Sequence, residues 1–228
     1  MKWKVVVPVL FLVLVAGGVV LIVTKRGKKD GSVLIYARGT DSTTLDPAEV
    51  ESGEDAKVTE SLYETLLGFK GDTTDLEPRL ATSYVASDGG KTWTFQLRTG
   101  VKFHDGTEFN AEAVVFTFNR LLGKESLRPK TVPYGEAFEV IERVEGAGQS
   151  VTFTLKRPSA TFLQVIAMFG AAIVSPSAVR KYGEKFSLNP CGTGPYKLSE
   201  WQSGVKIVLQ KFDGYWAEPP GIPKLIFL

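Results

Sequence analysis

The chain has 228 residues and a formal net charge of +2, and its 43% apolar and 11% aromatic residues are typical of a folded protein with a substantial core, which excludes a disordered chain. Six of the 27 basic residues lie in the first thirty positions, so residues 31–228 carry 21 basic against 24 acidic side chains. Because the folded part has no excess of positive charge, we expect no nucleic-acid partner.

Residues 1–30 have the pattern of a signal peptide or a signal anchor. Two lysines precede an apolar run from Val5 to Val23, and four basic residues follow it. At helical rise, a run of this length approaches the ~30 Å of a bilayer core. The run continues past a possible cleavage site at residues 16–18, which favours an uncleaved anchor that crosses the membrane through residues 5–23. The flanking charges are nearly balanced and slightly favour a cytoplasmic C-terminal side.

A short strand, a polar connection and a core helix are predicted next. Ser32–Ala37 is an apolar segment of strand length, and the polar residues 40–44 lead to Leu45-Asp46-Pro47. Apolar residues at helical spacing then predict a helix that stops at Gly68. These residues are Val58, Leu62 and Leu66.

Residues 76–119 begin with a hairpin and one half-buried strand. Asp88-Gly89-Gly90 supplies residues that tolerate positive φ in a hairpin-type turn. Apolar side chains then alternate with polar ones at the period of a strand with one buried face. The apolar members are Trp93, Phe95 and Leu97.

A second turn and a capped helix complete this stretch. His104-Asp105-Gly106 forms the turn, and Asn110 is the expected N-cap of the helix. Glu112 lies in the first helical turn, where its charge complements the helix dipole. Gly123 suits a left-handed C-terminal cap. The helix has an apolar stripe, formed by Val114, Phe118, Leu121 and Leu122.

The remaining segments predict a hairpin, two helices and a final strand pair. Residues 138–156 form a hairpin that turns at residues 146–148. One helix follows Ser159 and a shorter helix follows Pro176. Residues 189–196 read Asn-Pro-Cys-Gly-Thr-Gly-Pro-Tyr, where two glycines permit close backbone approach and a proline leads into a strand that pairs with residues 205–211.

The order and wording of these segments resemble one family, the periplasmic dipeptide- and oligopeptide-binding proteins of ABC importers, which are the two-lobed family 5 extracellular solute-binding proteins. The resemblance covers residues 33–228, and Cys191 replaces an aliphatic residue found in many members. The segments that carry it are Leu45-Asp46-Pro47, Tyr63-Glu64-Thr65-Leu66-Leu67, residues 76–119, residues 189–196 and Asp213-Gly214-Tyr215-Trp216.

The resemblance implies a mixed α/β fold of the type II periplasmic-binding-protein class. Residues 31–47 and 190–228 are expected to form the sheet of the first lobe, and residues 48–189 a smaller α/β subdomain. Members of the family are much longer, and this chain stops inside the apolar run Leu225–Leu228. We therefore interpret it as an N-terminal fragment without the second lobe.

The function implied by the resemblance is capture of a short peptide in an interlobe cleft and its delivery to an ABC permease in the membrane. The protein is expected to be a monomer that needs no cofactor and lies at the periplasmic or extracellular face of the cytoplasmic membrane, anchored by its N-terminus. Other members of the family bind oligosaccharides or chelated nickel, so these ligands remain open. A membrane-tethered solute sensor is a further alternative.

The resemblance places the loop Val50-Glu51-Ser52-Gly53 at the mouth of the cleft, where backbone groups can bind an extended peptide as an added strand. The alternative interpretation is an ordinary solvated loop with a helix cap at Ser52. Thr193 and Tyr196 are weaker candidates for ligand binding, and the alternative for both is a packing role.

The sequence predicts no catalytic residue and no metal site. Its one histidine, His104, lies in a turn beside Asp105, and the sequence contains no Gly-x-Ser-x-Gly elbow, no His/Cys cluster with metal-ligand spacing and no phosphate-binding loop. Asp46 and Glu112 are interpreted as turn and cap carboxylates. Cys191 is interpreted as a small buried apolar residue, and as a single cysteine it excludes an internal disulfide.

Overall fold

The computed structural model of the chain describes residues 11–15, 18–22 and 32–228. Residues up to Ser32 form one unit and residues from Val33 onward form another. In the first unit, Phe11–Val15 (β1) pairs antiparallel with Gly18–Ile22 (β2).

These two strands differ from the anchor helix predicted over residues 5–23. The described part of that run is rich in β-branched valine and isoleucine, which favour extended backbone, and this explains the difference. Among the described residues, no helix combines the length and the apolar character needed to span a bilayer. The rest of the predicted anchor lies outside the described residues.

The second unit contains ten strands, five α-helices and four short 3-10 turns. Its strands are β3 (Val33–Tyr36), β4 (Leu67–Phe69), β5 (Leu76–Pro78), β6 (Ala81–Ser87), β7 (Thr92–Leu97), β8 (Ile141–Ala147), β9 (Ser150–Leu155), β10 (Tyr196–Gln202), β11 (Lys206–Lys211) and β12 (Lys224–Phe227). Its α-helices are α1 (Gly53–Leu62), α2 (Ala111–Leu121), α3 (Gly135–Phe138), α4 (Phe162–Ala167) and α5 (Pro176–Tyr182). The 3-10 turns are Pro47–Glu49, Asp88–Gly90, Phe169–Ala171 and Gly183–Leu188.

One four-stranded sheet joins the two ends of this unit, in the order β10-β11-β12-β3. Its pairs are antiparallel except β12 and β3, which run parallel with Phe227 opposite Tyr36. The predicted pairing of the strand after Pro195 with residues 205–211 is confirmed by β10 and β11. The division of the unit into a first-lobe sheet and a subdomain of residues 48–189 stays a prediction.

A second four-stranded sheet, β6-β7-β9-β8, is antiparallel throughout. Its inner face is aromatic: the Phe153 ring lies 5.4 Å from that of Phe95, 4.8 Å from that of Phe118 on α2 and 5.6 Å from that of Phe162 on α4. The outer face is polar, with Thr94 and Thr152 hydrogen-bonded across β7 and β9. The alternation in the sequence therefore predicted the strands β7 and β9 and their buried faces correctly, whereas their pairing was not predicted.

The local signals around this sheet are also confirmed. Asn110 caps α2, since its Oδ1 accepts from the Ala113 N–H at 3.2 Å. Asp88, Gly89 and Gly90 have φ values of 50°, 61° and 87°, as the predicted turn requires. The mixed α/β class predicted from the sequence is confirmed.

The end of α1 differs from the prediction. The helix stops at Leu62 instead of continuing to Gly68, and residues 67–69 form β4. The carbonyl of Leu62 accepts from the Gly194 N–H at 3.0 Å, and Tyr63 is extended, with φ −130° and ψ 161°. A tertiary partner thus satisfies a carbonyl that a longer helix would use itself.

Candidate functional site

The strands β12 and β3 are parallel and end side by side, at what we call the carboxyl edge of the first sheet. Both strands have their carboxyl ends there, at Phe227 and Tyr36. The turn between β10 and β11 reaches the same edge, because Ile207 at the start of β11 pairs with Phe227. In open α/β sheets, ligands bind beyond the carboxyl ends of parallel strands, which makes this edge a candidate binding surface.

The connection that leaves β3 crosses this edge and is held at its far side by Asp41. The Oδ2 atom of Asp41 accepts from the Gly204 N–H at 2.6 Å and from the Ser203 hydroxyl at 3.2 Å. Burial raises the pKa of Asp41, but hydrogen bonds from Gly204, Ser42 and Ser203 outweigh it, so that the pKa is below its usual range. The carboxylate is therefore the stable form of this group.

Arg38 holds the near side of the same connection. Its side chain is 1% exposed. Its guanidinium donates to the Ser42 hydroxyl at 2.6 Å and to Asp41 Oδ1 at 3.3 Å, and it lies 5.6 Å from the centre of the Phe227 ring. The guanidinium therefore links the connection to the last strand of the sheet.

Asp55 joins this connection to the beginning of α1. It is 1% exposed. Its Oδ1 accepts from the Thr43 N–H at 2.9 Å, and its Oδ2 accepts from the hydroxyls of Ser52 and Thr43 at 2.9 and 3.3 Å. Ser52 in turn caps α1 by accepting from the Asp55 N–H at 3.1 Å. One buried carboxylate thus brings residues 41–44 and the loop 50–53 together.

We call this region the strand-end surface. It consists of Arg38, Asp41, Ser42, Thr43, Ser52, Gly53, Ser203 and Gly204. Beside it lies a groove of about 640 Å³, lined by Asp41, Ser42, Thr43, Leu188, Trp201 and Ser203.

Two residues of the predicted ligand loop, Ser52 and Gly53, belong to this surface. Val50 is fully buried, whereas Glu51, Ser52 and Gly53 are exposed. A Cβ atom on Gly53 would meet no heavy atom within 4 Å, so open space lies in front of its backbone. The role of the loop in ligand binding stays a prediction.

Thr193 and Tyr196 lie inside the protein, 0% and 8% exposed. The Thr193 hydroxyl donates to Glu64 Oε2 at 2.8 Å, and the Tyr196 hydroxyl donates to the Ile222 carbonyl at 2.8 Å. Both hydroxyls therefore have protein partners, and direct ligand contact by either stays a prediction.

The sequence analysis predicted no role for Glu64, which the structure places where three segments of the chain meet. Its carboxylate accepts from Thr193, from the Tyr215 hydroxyl at 3.0 Å and from the Trp216 Nε1–H at 2.8 Å. Burial raises the pKa of Glu64, and these three hydrogen bonds oppose the rise. We call these four residues the Glu64 cluster. They border a cavity of about 430 Å³ through Glu64 and Tyr215.

Two glycines and His104 pack the same crossing of chain segments. A Cβ atom on Gly192 or Gly194 would come within 2.2 or 2.6 Å of the Leu62 backbone, so only glycine permits this approach. His104 Nε2 lies 3.0 Å from the Gly194 carbonyl, and its Nδ1 accepts from the Gly192 N–H at 3.4 Å. Burial lowers the pKa of His104 to about 4. Both ring nitrogens are therefore engaged by backbone.

The structure provides neither an activated nucleophile at Cys191 nor a metal site in the described part of the chain. Cys191 is 5% exposed, and burial raises its pKa to about 12, which keeps the thiol protonated. No three His, Cys, Asp or Glu residues among those described are grouped so that they could hold a metal ion.

Comparison with known proteins places this geometry among solute-binding proteins. Residues 75–228 match the model for bacterial extracellular solute-binding proteins, family 5, middle region. The glutathione-binding protein GsiB of Escherichia coli is 36% identical over 193 residues, which are 84% of this chain and 36% of that protein. The chain thus spans about a third of the length of this curated relative.

Two solved structures show the same fold. The periplasmic binding protein DppA of Helicobacter pylori, in complex with the peptide STSA, is 33% identical with a TM-score of 0.80, and the match covers 86% of this chain and 42% of that one. NikZ of Campylobacter jejuni, in complex with Ni(L-His), is 25% identical with a TM-score of 0.75, and the match covers 86% of this chain and 38% of that one. A single fold thus binds a peptide in one protein and a metal chelate in the other.

Proposed function

Because the chain belongs to the bacterial extracellular solute-binding proteins of family 5, we propose that it serves an ABC importer, capturing a short peptide outside the cytoplasm and delivering it to the membrane permease. The observation that carries the proposal is the strand-end surface, an open sheet edge at the position where α/β folds bind ligands. GsiB is named for binding glutathione, and DppA is in complex with the peptide STSA. Both ligands are built from amino acids, which supports a peptide rather than a sugar.

We propose that the peptide lies as an extended strand along the loop 50–53 and the connection after β3. The exposure of residues 51–53 and the open space at Gly53 support this position, because backbone groups there can reach a ligand. Val50, Thr193 and Tyr196 are buried and would act by supporting the surface. A second lobe that closes over the ligand would exclude water from these hydrogen bonds.

No chemistry is part of the proposal. The matched relatives named above are binding proteins. Within the described residues, the one histidine is engaged through both ring nitrogens and the thiol is protonated. The ligand is therefore expected to leave unchanged, and turnover of any bound solute would contradict the proposal.

We also propose that residues 1–30 direct the protein out of the cytoplasm and that the apolar run 5–23 attaches it to the membrane. The lysines before the run and the length of the apolar run support export, whereas the charge cluster after the run favours the opposite orientation. Fractionation of cells that express the natural gene would test this. Recovery in the soluble periplasmic fraction would support a cleaved signal, recovery with the membrane would support the anchor, and recovery in the cytoplasm would contradict both.

The ligand class can be tested by thermal-shift screening of the purified protein against di- to tetrapeptides, glutathione, oligosaccharides and nickel with histidine. We expect stabilisation by peptides, since ligand at 100 times its Kd adds about 2.7 kcal/mol to the free energy of unfolding. Stabilisation by oligosaccharides alone or by the nickel chelate alone would contradict the peptide assignment.

The position of the ligand can be tested at Gly53. The substitution Gly53→Phe should weaken binding of the best peptide at least tenfold in calorimetry, because the ring would occupy the space in front of the loop. Ala86→Phe is the control, since Ala86 is an exposed residue on β6, an outer strand of the other sheet. Equal affinities of the two variants would contradict the assignment.

A further inference from the structure

The connection between β11 and β12 spans residues 212–223 and carries the chain to the strand that borders the strand-end surface. Its two ends are tied to the sheet: the Phe212 N–H donates to the Pro195 carbonyl at 2.8 Å, and the Ile222 carbonyl accepts from the Tyr196 hydroxyl at 2.8 Å. Between these ties, the connection must be positioned by its own contacts with the rest of the protein.

Glu64 supplies the central contact. Tyr215 and Trp216, in the middle of the connection, both donate to its carboxylate, at 3.0 and 2.8 Å. Among the other contacts of the described residues at this point, the Arg98 guanidinium lies 4.1 Å over the Trp216 ring. Hydrogen bonds to a charged, partly buried acceptor are about twice as strong as neutral ones, so the carboxylate dominates this contact.

The Glu64 carboxylate is itself held in place by the protein core. Thr193 is fully buried and donates to the same Oε2 atom as Trp216. The backbone carbonyl of Glu64 accepts from the Ile173 N–H at 2.9 Å. The residue follows Tyr63, which is 4% exposed and whose hydroxyl donates to the Leu45 carbonyl. A rigid support therefore presents the acceptor to the connection.

The position of the β11–β12 connection affects the strand-end surface through β12. Residues 224–227 pair with both β11 and β3, and the Arg38 N–H donates to the Leu228 carbonyl at 2.9 Å. Arg38 also lies over Phe227 and binds Asp41. A shift of β12 would therefore move the residues that hold the connection after β3.

We infer that Glu64 is a positioning residue for the ligand surface: its carboxylate fixes the β11–β12 connection and, through β12, the geometry of the strand-end surface. The inference rests on the proposed function for its effect on ligand affinity. Its structural part concerns the chain alone and can be tested without any ligand.

The first test is hydrogen exchange of the unliganded protein. Glu64→Met removes the acceptor and leaves three donors without it, so amides of residues 212–228 should exchange about tenfold faster, whereas those of β7 and β9 should keep their rates. Glu60→Met is the matched control on the preceding helix α1, since no described residue forms a hydrogen bond or ion pair with Glu60, and it should leave all rates unchanged. Equal acceleration in every strand would show a merely global loss of stability and would overturn the inference.

Two further variants keep the test decisive. Glu64→Gln can still accept from Thr193 and Trp216 and can donate to Tyr215 from its amide, so it should restore most of the protection. If Glu64→Met does not fold, Tyr215→Phe removes one donor and keeps the ring, and it should accelerate exchange in residues 212–228 alone. Unchanged exchange in Tyr215→Phe would overturn the inference.

The second test measures affinity by calorimetry with the peptide that stabilises the wild-type protein most. Glu64→Met should weaken binding about tenfold, Glu64→Gln much less, and Glu60→Met not at all. If the wild-type protein binds no peptide, the proposed function fails, whereas the exchange experiment still decides the positioning role. Wild-type affinity in Glu64→Met, together with faster exchange of β12, would overturn the link to the ligand surface.

Discussion

The two four-stranded sheets differ in how completely the chain covers them. In the aromatic sheet, Val151, Phe153 and Leu155 of β9 are fully buried beneath α2 and α4. In the sheet that contains the parallel pair, all four residues of β3 are 43–59% exposed, and β3 has a hydrogen-bonded neighbour on one side only among the described strands. We call the aromatic sheet the closed sheet and the sheet with the parallel pair the open sheet. The closed sheet supplies stability, and the open sheet offers backbone groups and space for a ligand.

The largest expected loss of stability comes from removing a large side chain from the core of the closed sheet. Phe153→Ala removes the ring that contacts Phe95, Phe118 and Phe162, and it should lower the free energy of unfolding by about 3–5 kcal/mol in urea denaturation. Ile35→Ala in the open sheet, where the side chain is 59% exposed, should cost about 0.5 kcal/mol or less. Similar losses in the two variants would remove the contrast between the sheets.

A smaller loss of stability is expected when the pH is lowered, because His104 is buried as a neutral side chain. The unfolded chain protonates His104 near pH 6.5, whereas the folded chain keeps it neutral down to about pH 4. Between these values the unfolded state binds more protons, so stability falls as the pH falls, by roughly 2 kcal/mol from pH 6.5 to 5. The slope decreases above pH 6.5 and is almost zero above about pH 7.5.

Thermal unfolding at a series of pH values would measure this dependence. His104→Gln keeps a donor for the Gly194 carbonyl and an acceptor for the Gly192 N–H but does not titrate, so its stability should be nearly flat between pH 6.5 and 5. A wild-type slope that persists in this variant would assign the effect to other groups.

The smallest expected loss of stability concerns Asp41, which lies at the carboxyl edge of the open sheet. Asp41→Ala removes the acceptor for Ser203 and Gly204 and should lower the free energy of unfolding by about 1 kcal/mol. Peptide affinity should fall more steeply, because the connection after β3 would no longer be fixed. Asp72→Ala, in an exposed turn without hydrogen bonds from described residues, is the control. A loss of stability without any loss of affinity would separate Asp41 from the binding surface.

The sequence predicted the closed sheet far better than the open one. The alternation of Trp93, Phe95 and Leu97 and the cap at Asn110 act within a few residues, so their signals are local. The contacts of Asp41 with Gly204 and of Glu64 with Trp216 join positions 163 and 152 residues apart. Such pairs depend on how the sheet brings distant segments together, and no local pattern contains that information.

The same limit explains the two predictions that differ from the structure, which concern the end of α1 and the N-terminal apolar run. The helix α1 ends early because Gly194 takes the carbonyl of Leu62, a partner that helical spacing cannot reveal. The apolar run near the N-terminus satisfies both the length of a membrane helix and the composition of a strand, and hydropathy alone cannot choose between them. The prediction that the loop 50–53 binds ligand came from the resemblance rather than from any physical signal in its residues, and it stays a prediction.

Cys191 makes the molecule convenient for spectroscopy. It is the one cysteine of the sequence, and at a pKa of about 12 only about one thiol in 100,000 is ionised at pH 7. Because maleimides and similar dyes attack the thiolate, and because this thiol is also 5% exposed, the natural protein should stay almost unlabelled. A cysteine introduced at Gly221 would therefore carry a fluorophore at a single known position, and its emission could be followed during a ligand titration without first deleting a native thiol.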